Sequence, residues 1–120
     1  MFQQLEIVHD FRVMHRDFKP GNIMTGLEAD PETHKYIYIC DYGISKYWVT
    51  NRKDPECREH IPFIKGKPIC GTIRYMGINV HRGYQQCRGD DMEGAGYSIM
   101  YFLRGDLPWI GIVEEGMTDK

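Results

Sequence analysis

The sequence predicts an α+β chain that is mainly helical, with one small β-hairpin and one long irregular segment. Three observations predict it. Apolar residues recur at three- and four-residue steps in 2–11 and again in 90–104, as amphipathic helices require. Two short runs, "NIMTG" at 22–26 and "KYIYIC" at 35–40, have strand composition and flank a polar stretch. Residues 41–80 show no clear period and hold Pro55, Pro62, Pro68 and several glycines.

Taken in order, the first helix places Phe2, Leu5, Val8 and His9 on one face. It carries no capping residue ahead of it, so it reads as the tail of a longer helix. Pro20 ends helical tendency near Phe18 and Lys19. The strand at 22–26 is closed by Gly26, and Leu27 to Lys35, with Pro31, forms the turn to the second strand. A loop as long as 41–80 inside a compact domain is usually functional or disordered. From Asp90 to Arg104, Met92, Ala95, Ile99, Phe102 and Leu103 repeat at helical steps, and Asp90 or Asp91 can cap the start. Gly94 and Gly96 each cost that helix about 1 kcal/mol relative to alanine, so they need a close-packing reason. "GDLPW" at 105–109 stops it.

The chain has 120 residues, room for one domain. A net charge of -2 argues against a dedicated nucleic-acid binder. The charge is uneven: Ile44 to Tyr75 holds seven basic residues against three acidic ones, a segment suited to an anionic partner or simply a solvated face. Cys40, Cys57, Cys70 and Cys87 form no C-x-x-C pair, which argues against zinc. No stretch resembles a signal peptide and no apolar run has membrane-spanning length. The expectation is an intracellular protein with free thiols, cytoplasmic or nuclear, with no membrane partner.

The chemistry concentrates in "HRDFKPGN", residues 15–22, and "DYG", residues 41–43. Asp17, in a loop between helix and hairpin, can accept a proton or orient a hydroxyl. Alone it would be a turn former. Asn22 offers an amide oxygen to a hard cation, and Asp41 follows the second strand, where Gly43 permits a sharp backbone bend. Together, H-R-D-x-K-P-x-N, a hairpin and D-[FY]-G match the protein-kinase signature in order and approximate spacing.

Beyond that point the chain resembles the casein kinase I family. The likeness is carried by "HIPFIKGKPICGTIRYMGINVHRGYQQCRGDDMEGAGYSIMYFLRGDLPW", residues 60–109. Within it stand H-I-P-[FY], G-T-x-R-Y, a near S-I-N, R-x-D-D-x-E-x-x-G-Y and L-P-W. Gly77 departs from the first position of S-I-N, Tyr42 replaces the commoner Phe, and Gly89 replaces an arginine. The likeness runs from about Leu5 to Ile112.

This resemblance implies a protein-kinase-like fold, here a partial C-lobe with a long activation segment. It implies a serine/threonine kinase that moves the ATP γ-phosphate to acidic or already phosphorylated proteins, with ATP and Mg²⁺ as cofactors. Asp17 would orient the substrate hydroxyl and Lys19 would steady the γ-phosphate. Asn22 and Asp41 would hold magnesium, which prefers oxygen ligands. Arg74 would receive the substrate's anion. His15, Tyr42 and Gly43 would shape the site, and Asp91 would cap the backbone of the His15-Arg16-Asp17 turn.

The glycine-rich loop, the V-A-I-K lysine and its glutamate partner have no counterpart in residues 1–120. The expectation is therefore one partial kinase domain, 1–120, lacking the N-lobe and the last C-lobe helices, and weak or inactive alone. The alternative is a kinase-derived fragment that binds phosphopeptides or partners without catalysis.

Overall fold

The structure, a computed structural model, describes residues 1–112; residues 113–120 of the expected domain lie outside the described residues. Two helices carry the packing. Helix α1, Phe2–Asp10, turns Leu5 and His9 inward. Leu5 meets Phe18 and Ala95 in a small core, with Met1, Ile23 and Ile39 packed around it. Phe2 and Val8 stay at least partly exposed, so the buried stripe is narrower than the apolar spacing suggests.

The expected hairpin is present in trimmed form. Strand β2, Ile23–Thr25, pairs antiparallel with β3, Ile37–Ile39, in the register Ile23↔Ile39 and Thr25↔Ile37. The turn between them is built on Asp30, which accepts from the Glu32 amide at 3.0 Å and the Thr33 hydroxyl at 2.9 Å. A second pair was not evident from the sequence. Strand β1, Val13–Met14, pairs with β4, Lys46–Tyr47. Two residues are too few to show a period. This pair anchors a second core of Met14, Trp48 and Val49. The rest of 41–80 is largely irregular, ending in a 3-10 turn, Ile73–Tyr75, and a short helix α2, Ile78–His81.

Helix α3, Arg88–Arg104, corrects two expectations. Its N-cap is Cys87, not Asp90 or Asp91. Asp90 sits in the first turn and takes the Cys87 amide at 2.7 Å, the reaching-back half of a capping box. The second correction concerns the buried face, which is small and polar: Asp90, Asp91, Gly94, Ala95 and Ser98. Phe102 and Leu103 are 55% and 81% exposed, off the packed stripe. Close backbone approach selects those small residues. A Cβ at Gly94 would lie 3.0 Å from the Phe18 carbonyl oxygen and 3.1 Å from that of Tyr75. Gly96 meets nothing within 4 Å and has no such reason. All four cysteines are free thiols, and among the described residues no helix is long and apolar enough to cross a membrane.

The two glycines should therefore respond oppositely to substitution. Gly96→Ala should raise stability by about 1 kcal/mol through helix propensity. Gly94→Ala should lower it by about 1–3 kcal/mol through overpacking. Urea unfolding midpoints of the two variants check this, and a matched response would refute the packing assignment.

Candidate active site

The turn from His15 to Asn22 is held from α3. Buried Asp91 accepts the His15 amide through Oδ2 and the Arg16 amide through Oδ1, both at 2.8 Å. Its Oδ2 also takes the ring Nε2 of His9, 2.9 Å away. Arg16 adopts φ +69°, a costly conformation for a bulky residue. It is tied down on three sides: its amide by Asp91, its Nε by the Ile44 carbonyl at 2.7 Å, and its carbonyl by the Gln86 amide group at 3.4 Å. Gly71 passes so close that a Cβ there would stand 2.5 Å from that same carbonyl oxygen.

Asp17 lies at the centre of a dense polar cluster. Thr72 donates to its Oδ1 twice, from the hydroxyl at 2.6 Å and the amide at 2.8 Å. Lys19 Nζ lies 2.8 Å from Oδ2 and also donates to the Thr72 hydroxyl oxygen at 2.9 Å. Burial pushes the Asp17 carboxyl pKa up, but the Lys19 bond and the two Thr72 bonds outweigh it and hold the group below its ordinary value.

Asn22 is buried, and its Nδ2 donates to the Asp17 carbonyl at 2.9 Å and to Asp17 Oδ2 at 3.3 Å. Because Nδ2 is committed to Asp17, Oδ1 is the atom left for a cation. The Cys40 amide donates to the Asn22 carbonyl at 3.0 Å, so the β2–β3 ladder sets Asp41 one residue past the bond to Asn22. The sharp bend expected at Gly43 is made at Asp41 instead, which has φ +63° and takes the Gly43 amide on Oδ1 at 3.2 Å. Aspartate tolerates that conformation better than most residues, which is why glycine is not needed there. Among the described residues no three His, Cys, Asp or Glu side chains converge as a metal cluster. One carboxylate and one amide oxygen suit magnesium, which keeps several water or phosphate ligands of its own.

His15 is fully buried and packs edge-on to Tyr42, ring centroids 4.9 Å apart, and to Phe18 at 6.1 Å. Its Nε2 meets the Cys40 carbonyl at 2.9 Å and its Nδ1 meets the Asp17 amide at 3.3 Å. One tautomer satisfies both, with Nε2–H donating and Nδ1 accepting. The ring thereby links the 41–43 turn to the Asp17 loop. Burial, then the charges of Cys40 and Asp91, push the Tyr42 hydroxyl pKa up.

Arg74 lies on the 3-10 turn two residues beyond Thr72, half-buried, with its carbonyl taking the Trp109 indole N–H at 2.9 Å. Within the basic stretch, Lys46 and Lys67 were not singled out from the sequence. Lys46 is held below its ordinary pKa by burial, and then by the like charges of Arg16 and Lys67. Lys46 Nζ also donates to Gln85 Oε1 at 3.1 Å. Sequence reasoning gave Thr72 no role either; its place inside the G-T-x-R-Y motif was the available signal.

Residues 1–119 match the family of the protein kinase domain. Casein kinase I homolog 2 of Schizosaccharomyces pombe is 39% identical over 112 residues, which are 93% of this chain and 25% of that protein. Casein kinase I homolog 2 of Saccharomyces cerevisiae is 40% identical over 112 residues, 93% of this chain and 20% of that protein. The chain thus spans a quarter or less of the length of these curated relatives.

Thr72→Val removes the shorter of the two Thr72 bonds and frees Lys19 from one partner. The Asp17 carboxyl should then titrate at higher pH. A depressed carboxyl contributes stability that is present above its unfolded pKa and lost as pH falls through the folded one. In Thr72→Val, that part of the acid loss should therefore begin at a higher pH than in the wild type. Carboxyl-carbon NMR titration of both proteins checks it, and an unmoved Asp17 signal would contradict the cluster.

Proposed function

The chain belongs to the protein kinase family, on its casein kinase I branch, and we propose that it serves as the catalytic-loop portion of a serine/threonine protein kinase. The observation that carries this reading is the cluster of Asp17, Lys19, Asn22 and Thr72, with Asp41 one residue past the Cys40–Asn22 backbone bond.

Phosphoryl transfer depends on positioning and charge stabilisation more than on covalent help. Asp17 Oδ1 is fixed by Thr72, so Oδ2 is the atom offered to a substrate hydroxyl. Lys19 holds Oδ2 in the resting cluster. Moving to the γ-phosphate of ATP, Lys19 would release that oxygen to the incoming Ser or Thr. A carboxylate with a lowered pKa is a weak base, which suits a residue that orients the hydroxyl and takes its proton late. Asn22 and Asp41 would hold Mg²⁺, which neutralises phosphate charge when bound.

Acidic or already phosphorylated protein substrates fit the cations. Arg16 and Lys67 are close enough to Lys46 for their charge to lower its pKa, a concentration of positive charge that an anion would relieve. Arg74 extends positive charge beyond Thr72. The same cations favour a second reading, a module that captures phosphopeptides without turnover.

Incubating the chain with radiolabelled ATP, Mg²⁺ and casein separates the two. The kinase reading expects weak formation of phosphoserine or phosphothreonine by the chain alone, lost to background in Asp17→Asn. Transfer unaffected by Asp17→Asn would overturn it. For the anion surface, Lys67→Ala and Arg74→Ala should each weaken binding of a phosphorylated peptide about threefold to tenfold, with the loss shrinking at high salt. Equal affinity for phosphorylated and unphosphorylated peptides, measured by titration calorimetry, would remove the substrate preference.

A further inference from the structure

Thr72 grips both Asp17 and Lys19, so where the segment that carries Thr72 is held decides the cluster. That segment runs through the 3-10 turn Ile73–Tyr75 to Gly77 and the start of α2. The turn is internally bonded, with the Tyr75 amide donating to the Thr72 carbonyl at 3.0 Å and the Met76 amide to the Ile73 carbonyl at 3.3 Å. What fixes its near end is Asp17. Its far end is the N-cap of α2, where Gly77 brings no side chain to accept the exposed amides.

Glu93 supplies the missing acceptor from α3. Its Oε2 takes the Ile78 amide at 2.8 Å and the Tyr97 hydroxyl at 3.3 Å. The glycine is what lets the carboxylate come so near. A Cβ at Gly77 would stand 3.1 Å from Glu93 Oε2 and 2.6 Å from Asp90 Oδ1. Position 77 therefore gives up a local cap and makes room for one delivered from fifteen residues away. The bond joins α3, which already fixes the His15–Arg16 turn through Asp91, to the other wall of the Asp17 cluster.

We propose that Glu93 is a positioning residue: by holding Ile78 against α3 it fixes the 72–78 segment so that Thr72 stays seated on Asp17. The Trp109 indole on the Arg74 carbonyl and the edge-on Tyr75–Tyr101 contact support the middle of the same segment. Glu93 sets where it ends. This deepens the kinase reading and rests on it for the meaning of Asp17. The bond pattern stands or falls independently of phosphate transfer.

Amide hydrogen exchange of the nucleotide-free chain tests it, read at four sites by NMR. Ile78 reports the Glu93 bond, Thr72 the Asp17 bond, and His15 and Arg16 the neighbouring Asp91 bonds. Glu93→Ala should accelerate exchange about fivefold to tenfold at Ile78, and at Thr72 by a smaller but resolved factor, while His15 and Arg16 keep their wild-type rates. Glu93→Gln, which keeps the length and an acceptor oxygen, should restore both rates. An unchanged Thr72, equal acceleration at all four sites, or a Gln variant as fast as the Ala variant would overturn the proposal. Should Glu93→Ala fail to fold, Glu93→Asp, too short to reach Ile78, is read by the same criteria. Because no ATP is present, a chain that transfers no phosphate can still pass this test, and an active one can still fail it.

Discussion

The carboxylate of Asp91 is the constraint on which the candidate site depends. It is 3% exposed, and it receives donors from three places in the chain: the His9 ring on α1 and the amides of His15 and Arg16. A buried carboxylate is costly unless its oxygens are satisfied, and here both are. These bonds close loops of 75 to 82 residues, so they form only once α1 and the His15–Arg16 turn have met α3. In return they hold Arg16 in its left-handed conformation, and that reversal turns Asp17 toward Thr72. Trp48 joins the same network, donating its indole N–H to the His9 carbonyl at 2.8 Å. The second core is thus tied to the first through the residue that pairs with Asp91.

Close backbone approach does the remaining work. Gly94 lets α3 lie against the carbonyls of both Phe18 and Tyr75. Gly71 lets the segment before Thr72 pass the Arg16 carbonyl. The helix that carries Asp91 therefore also supports Phe18, next to Asp17, and Tyr75, three residues beyond Thr72. A helix face made of Asp, Gly, Ala and Ser gains little from apolar burial. Its contribution is short hydrogen bonds and tight fit, which specify geometry more than they add bulk stability.

Much of this was legible in the sequence where a period or a motif carried it. The spacing in 2–11 and 90–104 located both long helices, and Ile/Tyr composition located the hairpin. The order of His15, Asp17, Lys19, Asn22 and Asp41 pointed to the protein kinase family, which residues 1–119 match. The rest was hidden for physical reasons. The β1–β4 pair is two residues long on each side and leaves no pattern. The buried face of α3 was hidden because apolar spacing runs through Phe102 and Leu103, whereas the buried stripe is Asp90, Asp91, Gly94, Ala95 and Ser98, small and polar residues that carry no apolar period. Asp41 was passed over for Gly43 as the bend because glycine is the usual bearer of positive φ. Glu93 and Thr72 lie far from their partners in sequence, and contacts of that kind have no local signature.

The most direct measurement is the structure of Asp91→Asn, by crystallography or NMR, beside the wild type. Asparagine offers one carbonyl oxygen, so an NH₂ group must face a backbone amide where the carboxylate accepted it. Arg16 should leave the left-handed region for negative φ, and the Asp17 carboxylate should part from Thr72. An Asp91→Asn protein that keeps Arg16 at positive φ, with Asp17 still bonded to the Thr72 amide and hydroxyl, would contradict the view that this carboxylate holds the site together.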